Sequence, residues 1–138
     1  MATVELRFSA LPEHVRTARL VAAAVARRVG VDESVLDEVR LAVGEACSRA
    51  VGLHQRAGVL GGAVRVALTD QEKRFLIEVE DEAGPMSVPA PGADEDADED
   101  MLGLAVITGL VEDLEVTNGV RGGLIRMSWP VPADVLAR

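Results

Sequence analysis

Apolar and polar residues follow two different periods along this chain, and these periods predict its secondary structure. Alternation with a period of two predicts strands at residues 3–8, 63–69, 75–80, 114–117 and 123–129. Helical spacing of apolar residues predicts three helices, which run from Ser9 or Pro12 to about Gly30, from an Asp32 cap to about His54, and from 102 to 111. Residues 81–101 follow neither period and contain several prolines, so we expect a long mobile loop there.

The order of these elements predicts the fold class. A strand, two helices, two strands, a long loop, a helix and two strands favour an α+β fold, a two-layer α/β sandwich in which helices cover one face of a mixed sheet. A chain of 138 residues is long enough for one sizeable core. We therefore expect a single domain over residues 1–138, in which residues 83–101 form an acidic lid loop.

Composition and charge exclude several functions. The net charge of −9 argues against non-specific nucleic-acid binding, and the few aromatic residues do not make a base-stacking platform. No apolar run approaches the roughly 20 residues that span a bilayer, and the N-terminal residues do not resemble a signal peptide. A single cysteine excludes an internal disulfide and suits a reducing compartment. We therefore expect a cytoplasmic protein that binds neither nucleic acid nor membrane directly.

Cysteine and histidine are assigned structural roles. Cys47 lies on the apolar face of the second helix, so we expect a buried thiol rather than a nucleophile. His14 and His54 have no cysteine or carboxylate at metal-site spacing, so no metal site is predicted. We expect His54 to be a cation at the end of its helix, where the helix dipole favours positive charge.

The second helix carries the most informative segment, Glu45-Ala46-Cys47-Ser48-Arg49-Ala50. Glu45 and Arg49 are four residues apart and so share one side of the helix. The segment resembles the motif Glu-Ala-Cys-(Ser/Thr)-Asn-Ala of the GHKL ATPases, a histidine-kinase-like fold, in the branch of RsbW-type anti-sigma factor serine kinases. The resemblance implies that Glu45 is the base that activates a nucleophile. It also implies that an Asn should hold Mg²⁺ where this chain has Arg49.

A second segment is similar to the base-binding motif of that family, Asp-x-Gly-x-Gly. The resemblance implies that the carboxylate of Asp81 accepts the amino group of adenine. The glycine positions read Ala83 and Pro85, and Gly84 stands between them. Because the backbone must turn sharply near the base, we expect the turn to be rebuilt around Gly84.

Two further segments match family motifs only in part. Met101-Leu102-Gly103-Leu104 is similar to Gly-x-Gly-Leu, which implies that Gly103 and Leu104 open a helix whose N–H groups hold phosphates. Met101 replaces the first glycine. In the last motif, a Gly-Thr pair whose hydroxyl supports the adenine pocket, Leu124 replaces the Thr. The acidic run at 94–100 would also repel a triphosphate.

Arg49 has three open interpretations. It pairs with Glu45, or it reaches Asp81 or the acidic lid within an empty nucleotide site. Alternatively, it binds some other anion, or it points to solvent. In each case the guanidinium cation of Arg49 occupies the position where the resemblance implies bound Mg²⁺.

The four altered positions, Arg49, Ala83, Met101 and Leu124, predict a degenerate nucleotide site with no cofactor, in which Glu45 is a vestigial base. The resemblance then implies a non-catalytic or weakly catalytic anti-sigma-factor-like regulator. Such a protein binds a STAS-domain anti-sigma antagonist, a sigma factor or both, and family members commonly form homodimers. Two alternatives stay open: an active protein-serine kinase that uses ATP and Mg²⁺, and a small-ligand sensor that uses the remodelled pocket.

Overall fold

The computed structural model describes residues 2–59, 62–84 and 94–132. In chain order, its strands and helices are β1 (Ala2–Ser9), α1 (Val15–Val29), α2 (Leu36–Ala57), β2 (Ala63–Asp70), β3 (Arg74–Glu80), α3 (Asp94–Leu110), β4 (Asp113–Asn118) and β5 (Gly123–Pro130). Short 3-10 turns at Pro12–His14 and Glu33–Val35 lead into α1 and α2. Every strand and helix predicted from the apolar pattern is present, although one helix begins earlier than expected.

The strands form a five-stranded sheet in the order β1-β2-β3-β5-β4. Each neighbouring pair is antiparallel. The α+β fold class is confirmed, but the mixed sheet is wrong for the strands that the structure describes. The reason is topological. β3 precedes α3 in the chain and β4 follows it, and these two strands run in the same direction. In the sheet, however, β5 lies between β3 and β4, so they do not form a parallel pair.

The helices cover one face of this sheet. α2 packs between α1 and α3 and also contacts β2 and β3. Alternate residues of the three central strands face the helices and form the core with them, because side chains alternate between the two faces of a strand: Val64, Val66, Leu68, Phe75, Ile77, Val79, Ile125, Met127 and Trp129. The opposite face carries cross-strand ion pairs, among them Arg65 with Glu5 and Glu80. None of the helices in the described ranges is long and apolar enough to cross a membrane.

Local signals explain the helix boundaries of α1 and α2. The carboxylate of Asp32 accepts the N–H of Ser34 at 2.9 Å and so caps the turn that leads into α2. α1 ends before Gly30 and α2 before Gly58, and both glycines have positive φ (105° and 68°), which suits a residue without Cβ. The predicted cap and the predicted end of the first helix are therefore confirmed.

The start of α3 corrects the sequence analysis. The helix begins at Asp94, whereas the pattern placed its start at Leu102 and assigned residues 83–101 to a lid loop. Acidic residues in the first turn of a helix interact favourably with its dipole, so the run that begins with Asp94 and Glu95 favours a helix start there. The pattern missed this because the first two turns carry no apolar stripe. The remainder of the predicted mobile loop, residues 85–93, lies outside the described residues.

Candidate functional site

Asp81 follows β3 directly and is 3% exposed. Its Oδ1 accepts the N–H of Ala83 at 3.0 Å, and its Oδ2 accepts the buried N–H of Gly123 at 3.1 Å. The N–H of Asp81 in turn donates to the carbonyl of Gly123 at 3.0 Å. The carboxylate is therefore fixed between the ends of β3 and β5, at the place where the resemblance expects the adenine contact.

The turn after Asp81 is built around Gly84. Its φ is 94°, in the left-handed region that favours glycine. The N–H of Gly84 donates to the carbonyl of Arg121 at 2.7 Å, which ties this turn to the loop between β4 and β5. Ala83 has no positive φ, so a side chain is accommodated at the position where the family has glycine. The reversal of the chain occurs one residue later than in the family motif.

Sequence reasoning missed Gly122 as a site residue. A Cβ placed on Gly122 would overlap both Oδ1 and the carbonyl oxygen of Asp81. On Gly123, a Cβ would lie 3.0 Å from Oδ2 of the same carboxylate. The available signal was the glycine pair directly before an alternating strand, which indicates a close backbone approach. Gly122 is therefore required by the packing around Asp81, and Gly123 leaves little room beside the same carboxylate.

Leu124 lies on the other side of the sheet from this carboxylate. Along β5 the buried residues are Gly123, Ile125, Met127 and Trp129, which alternate with half-buried ones. Leu124 belongs to the half-buried set and pairs with Glu80 and Thr117. Because neighbouring side chains point to opposite faces, its side chain lies on the face away from the helices. The structure therefore does not bring Leu124 to the site beside Asp81.

α2 brings Glu45 against α3. A Cβ placed on Gly103 would lie 3.6 Å from Oε2 of Glu45. Leu104, the next residue, is half-buried and packs against the core. The carboxylate of Glu45 and the backbone at Gly103 are thus neighbours, as the family motifs would place them.

Gly103 does not lie at a helix N-terminus, however. Because α3 begins at Asp94, Met101, Gly103 and Leu104 all lie in its interior. Interior N–H groups donate to the carbonyl four residues earlier, so they are not available to phosphate oxygens. The predicted phosphate-binding role of these three residues therefore has no counterpart in this helix, and the early start of α3 is the physical reason.

Arg49 lies one turn beyond Glu45 on α2 and is half-buried. Its Nε is buried without a hydrogen bond. Across residues 2–59, 62–84 and 94–132 no ion pair joins Arg49 to Glu45 or Asp81, although either pairing was predicted. A contact with the acidic run concerns side chains outside the described part of the molecule. Of the groups that were expected to neutralise Arg49, the two that the structure describes, Glu45 and Asp81, are therefore not its partners.

His54 corrects another prediction. It is 1% exposed, and its Nε2 accepts the N–H of Glu82 at 3.0 Å. A nitrogen that accepts a hydrogen bond carries no proton, so this imidazole is neutral rather than the cation expected at a helix end. Glu82 is held further by its Oε1, which accepts the N–H of Ala63 at 2.6 Å. His54 thus fastens the end of α2 to the segment that follows Asp81.

Cys47 is fully buried in the core, as predicted. Burial raises the pKa of its thiol to about 12, because the thiolate would lose its hydration. The thiolate is the reactive form of cysteine, so a buried thiol with this pKa is not a nucleophile at neutral pH.

The divalent cation implied by the resemblance does not fit the residues at this position. The guanidinium of Arg49 is permanently charged and donates hydrogen bonds only, so it cannot ligate a metal ion. Within the described ranges no group of three or more His, Cys, Asp or Glu side chains is placed to hold a metal ion. The described residues therefore place Asp81 at the adenine-binding position of the motif and Glu45 at the position of the catalytic base. Between these two residues they offer no ligand set for Mg²⁺.

Comparison with known proteins gives a family match that covers most of this chain. Residues 8–129 match the family described as histidine kinase-like ATPase domain. The chain is similar to the serine-protein kinase RsbW of Oceanobacillus iheyensis, with 28% identity over 136 residues that cover 91% of this chain and 84% of that protein. It is also similar to the serine-protein kinase RsbW of Bacillus pumilus, with 30% identity over 125 residues that cover 82% and 76%.

A solved structure supports the fold. The crystal structure of the RsbU and RsbW domains of a Mycobacterium tuberculosis protein superposes with a TM-score of 0.67 at 20% identity. The match covers 95% of this chain and 34% of that longer chain. At this identity the likeness establishes the fold and not the activity.

Proposed function

We propose, from the premise that this chain belongs to the histidine kinase-like ATPase family and to its RsbW branch, that it regulates transcription by binding partners rather than by phosphorylating them. The partners are a STAS-domain anti-sigma antagonist, a sigma factor or both. The proposal extends to a single domain that acts in the cytoplasm and forms a homodimer.

The observation that carries this proposal is the position of Arg49. Phosphoryl transfer in nucleotide-dependent kinases depends on metal ions that bridge the phosphates and neutralise the developing charge. Arg49 stands at the metal-holding position and has no metal-ligating atom. Gly103, inside α3, adds a second deficit, because its N–H is not available to a phosphate. Catalysis needs both groups in place, whereas binding a protein partner needs neither.

An exposed apolar surface on the helix layer supports the binding role. Three large apolar side chains are 54%, 67% and 42% exposed on α2 and α3, namely Leu41, Leu102 and Val106. The two helices lie side by side and antiparallel, because Glu45 lies against Gly103 while Glu38 and Gly109 line one shared cleft of about 270 Å³. The exposed residue on α2 therefore lies level with those on α3. Leu102 and Val106 are four residues apart and so share one side of α3, and exposed apolar side chains that lie together are typical of a protein-interaction surface.

One observation favours a second candidate, the MgATP-dependent serine kinase. Glu45 lies beside Gly103, which is where a base would meet the phosphate end of a nucleotide. The names of the relatives from Oceanobacillus iheyensis and Bacillus pumilus describe this activity. The two candidates differ in whether the antagonist is modified, so one reaction mixture separates them.

The test combines the purified chain, a candidate antagonist and MgATP, followed by mass spectrometry of the antagonist and a pull-down from the same tube. We expect a complex that carries no phosphate. The control variants are Glu45→Ala and Asp37→Ala, which remove a carboxylate from the same helix inside and outside the site. Stoichiometric phosphate that disappears in E45A and persists in D37A would establish the kinase instead. Failure to bind any antagonist or sigma factor would also overturn the proposal.

A further inference from the structure

We propose that the cleft between the start of α2, the end of α3 and the end of β5 receives an arginine side chain of the protein partner. Apolar residues of the same partner segment then cover Leu41 and Val106. This inference rests on the proposed function, because it names the chemistry by which the partner is recognised. The cleft is separate from the motif residues Glu45, Arg49 and Asp81, none of which lines it.

The floor of the cleft is apolar. Its volume is about 270 Å³, and most of its described lining residues have apolar side chains: Val35, Leu110, Val111, Trp129 and Pro130. Trp129 is held in place there, because its indole N–H donates to the carbonyl of Leu110 at 3.0 Å. Clefts that enclose whole small-molecule ligands usually measure about 300–1,000 Å³. This cleft is smaller, so it suits one long side chain better than a complete ligand.

The rim of the cleft is negatively charged. Glu38 contributes a carboxylate from α2, and Glu112 contributes another from the segment after α3. Glu112 shares the guanidinium of Arg74 with Asp113, at 3.3 and 2.9 Å. Glu38 is exposed and forms no ion pair with a side chain that the structure describes. Because the described lining residues include neither lysine nor arginine, the rim favours a cation supplied from outside.

The end of α3 adds to this preference for a cation. Gly109 and Leu110 are the last residues of the helix and line the cleft, and the last turn of α3 contains no basic side chain. The last carbonyl groups of a helix carry a partial negative charge, so a cation beside them is favoured. The helix end and the carboxylate of Glu38 therefore select an occupant of the same charge.

Arginine matches both the floor and the rim of the cleft. The apolar stem of its side chain packs on apolar surface while the charged head stays in contact with water. Its guanidinium has five N–H donors in a planar fork, so it can donate to two carboxylates at once. Lysine would supply the charge without this fork. We therefore expect arginine to be preferred over lysine, and both over an uncharged side chain.

The cleft continues into the exposed apolar surface of the helix layer. Leu41 follows Glu38 by three residues on α2, and Val106 precedes Gly109 by three residues on α3. Both exposed side chains therefore lie about one helical turn from the cleft. A partner segment that places its arginine in the cleft carries its neighbouring residues over this pair. Those neighbours should be apolar, because burial of apolar surface is favourable against an apolar partner.

The test uses two peptides and the only tryptophan of the chain, Trp129, which lines the cleft. The first peptide is acetyl-Leu-Ala-Arg-Ala-Leu-amide, and the second has citrulline, an uncharged analogue of similar shape, in place of arginine. Binding is measured by tryptophan fluorescence and by NMR shifts of the Gly109 and Val111 amides. We expect the arginine peptide to bind about fivefold more tightly than the citrulline peptide at low salt, and the difference to shrink as salt is added.

The first variant is Glu38→Gln, with Asp37→Asn as its matched control. Glu38 has no described partner to lose, whereas Asp37 is the neighbouring carboxylate and does not line the cleft. E38Q should remove most of the preference for arginine, and D37N should leave it unchanged. The second variant is Gly109→Leu, which should weaken both peptides. A Cβ on Gly109 meets nothing within 4 Å, so this substitution adds a side chain at the cleft wall without a clash.

Several results would overturn the inference. Equal binding of the two peptides would exclude charge recognition, and unchanged Gly109 and Val111 amides at millimolar arginine peptide would exclude the cleft. A dimer in analytical ultracentrifugation that E38Q abolishes would assign the cleft to a second copy of this chain. If an antagonist or sigma factor binds E38Q and D37N equally well, this inference fails alone. If neither partner binds the chain while the arginine peptide still occupies the cleft, only the proposed function fails.

Discussion

The candidate site has a base end around Asp81 and a phosphate end around Arg49 and Gly103, named after the family motifs that they resemble, and these two ends differ in how completely their side chains are partnered. At the base end, both oxygens of Asp81 accept backbone hydrogens, and Gly122 and Gly123 lie so close that a Cβ on either would press on the carboxylate. At the phosphate end, Arg49 has a buried Nε without a hydrogen bond, and Gly103 has room for a Cβ beside Glu45. The base end is bound into the fold, whereas the phosphate end is not.

This difference suggests why the two ends depart unequally from the family motifs. Replacing Asp81 or Gly122 would disturb the joint between β3 and β5, so the fold itself constrains those positions. Arg49 stands where the resemblance implies an Mg²⁺-holding Asn, and it makes no ion pair with Glu45 or Asp81, so the fold does not constrain that position in the same way. If this is right, substitutions at the base end should cost stability and those at the phosphate end should not.

Gly122→Ala should have the largest effect on stability. The new Cβ would overlap a carboxylate oxygen and a carbonyl oxygen of Asp81, and backbone atoms cannot move aside as a flexible side chain would. We expect a loss of about 2–3 kcal/mol in the free energy of unfolding, measured by urea denaturation.

The control for Gly122 is Gly119→Ala in the same loop. A Cβ on Gly119 would have the carbonyl of Gly122 at 3.7 Å as its nearest contact, which is an ordinary van der Waals distance. We expect a change below about 0.5 kcal/mol. Equal losses in the two variants would show that the loop as a whole is sensitive and that the contact with Asp81 is not the cause.

Asp81→Asn should have the next largest effect. An amide offers one acceptor oxygen, so either the N–H of Ala83 or the buried N–H of Gly123 would face a donor. Leaving a buried donor unpaired costs about 1–3 kcal/mol. Asp70→Asn is the comparison, since Asp70 accepts only the exposed N–H of Glu72. A loss no larger than that of D70N in urea denaturation would contradict the view that the base end is bound into the fold.

Much of the fold could be predicted from sequence, because alternating and helical apolar patterns report directly on which residues meet the core. The strands of the sheet and the helix that carries Glu45 are examples. The start of α3 could not be read in this way, since the run after Asp94 has no apolar stripe and its helical preference comes from charge at a helix N-terminus. The antiparallel sheet was missed because a linear pattern does not state that β5 lies between β3 and β4.

The site was less predictable than the fold. The motifs identified Asp81, Glu45 and Arg49 as candidate site residues. The hydrogen bonds and ion pairs of a side chain, however, depend on segments that are distant in the sequence. His54 is the clearest case: its helix-end position suggested a cation, while the N–H of Glu82, 28 residues later, makes it a neutral acceptor. Leu124 was misplaced for a related reason, because the motif gave its position along the chain and not the face of β5 on which it lies.

Cys47 lies on the same turns of α2 as Arg49, but on the side that faces the core, and its ionisation can be compared with the behaviour of the site residues. Its pKa is raised from 9.0 to about 12, so the folded chain keeps the thiol proton at pH values where the unfolded chain releases it. Stability should therefore fall as pH rises above 9, by about 1 kcal/mol between pH 9 and 10. The chain has no tyrosine, which leaves few other groups that titrate in this range. The measurement is urea denaturation from pH 8 to 10, and Cys47→Ala should flatten the profile; an equal slope in C47A would contradict burial as the cause.

Arg49→Met should have the smallest effect on stability, and this result would sharpen the comparison most. Methionine keeps the apolar stem of the side chain and removes a cation that has no partner among the described residues. Because no ion pair of Arg49 with a described side chain is lost and a buried unpaired Nε is removed, we expect the free energy of unfolding to stay within about 0.5 kcal/mol or to rise slightly. Arg65→Met is the matched control, since Arg65 bonds Glu80 at 3.3 Å and Glu5 at 3.4 Å, and its partly exposed pairs should contribute up to about 1 kcal/mol. A loss in R49M greater than that in R65M, in the same urea titration, would mean that Arg49 stabilises the folded chain through a partner, and the phosphate end could then no longer be regarded as the end of the site that the fold leaves unconstrained.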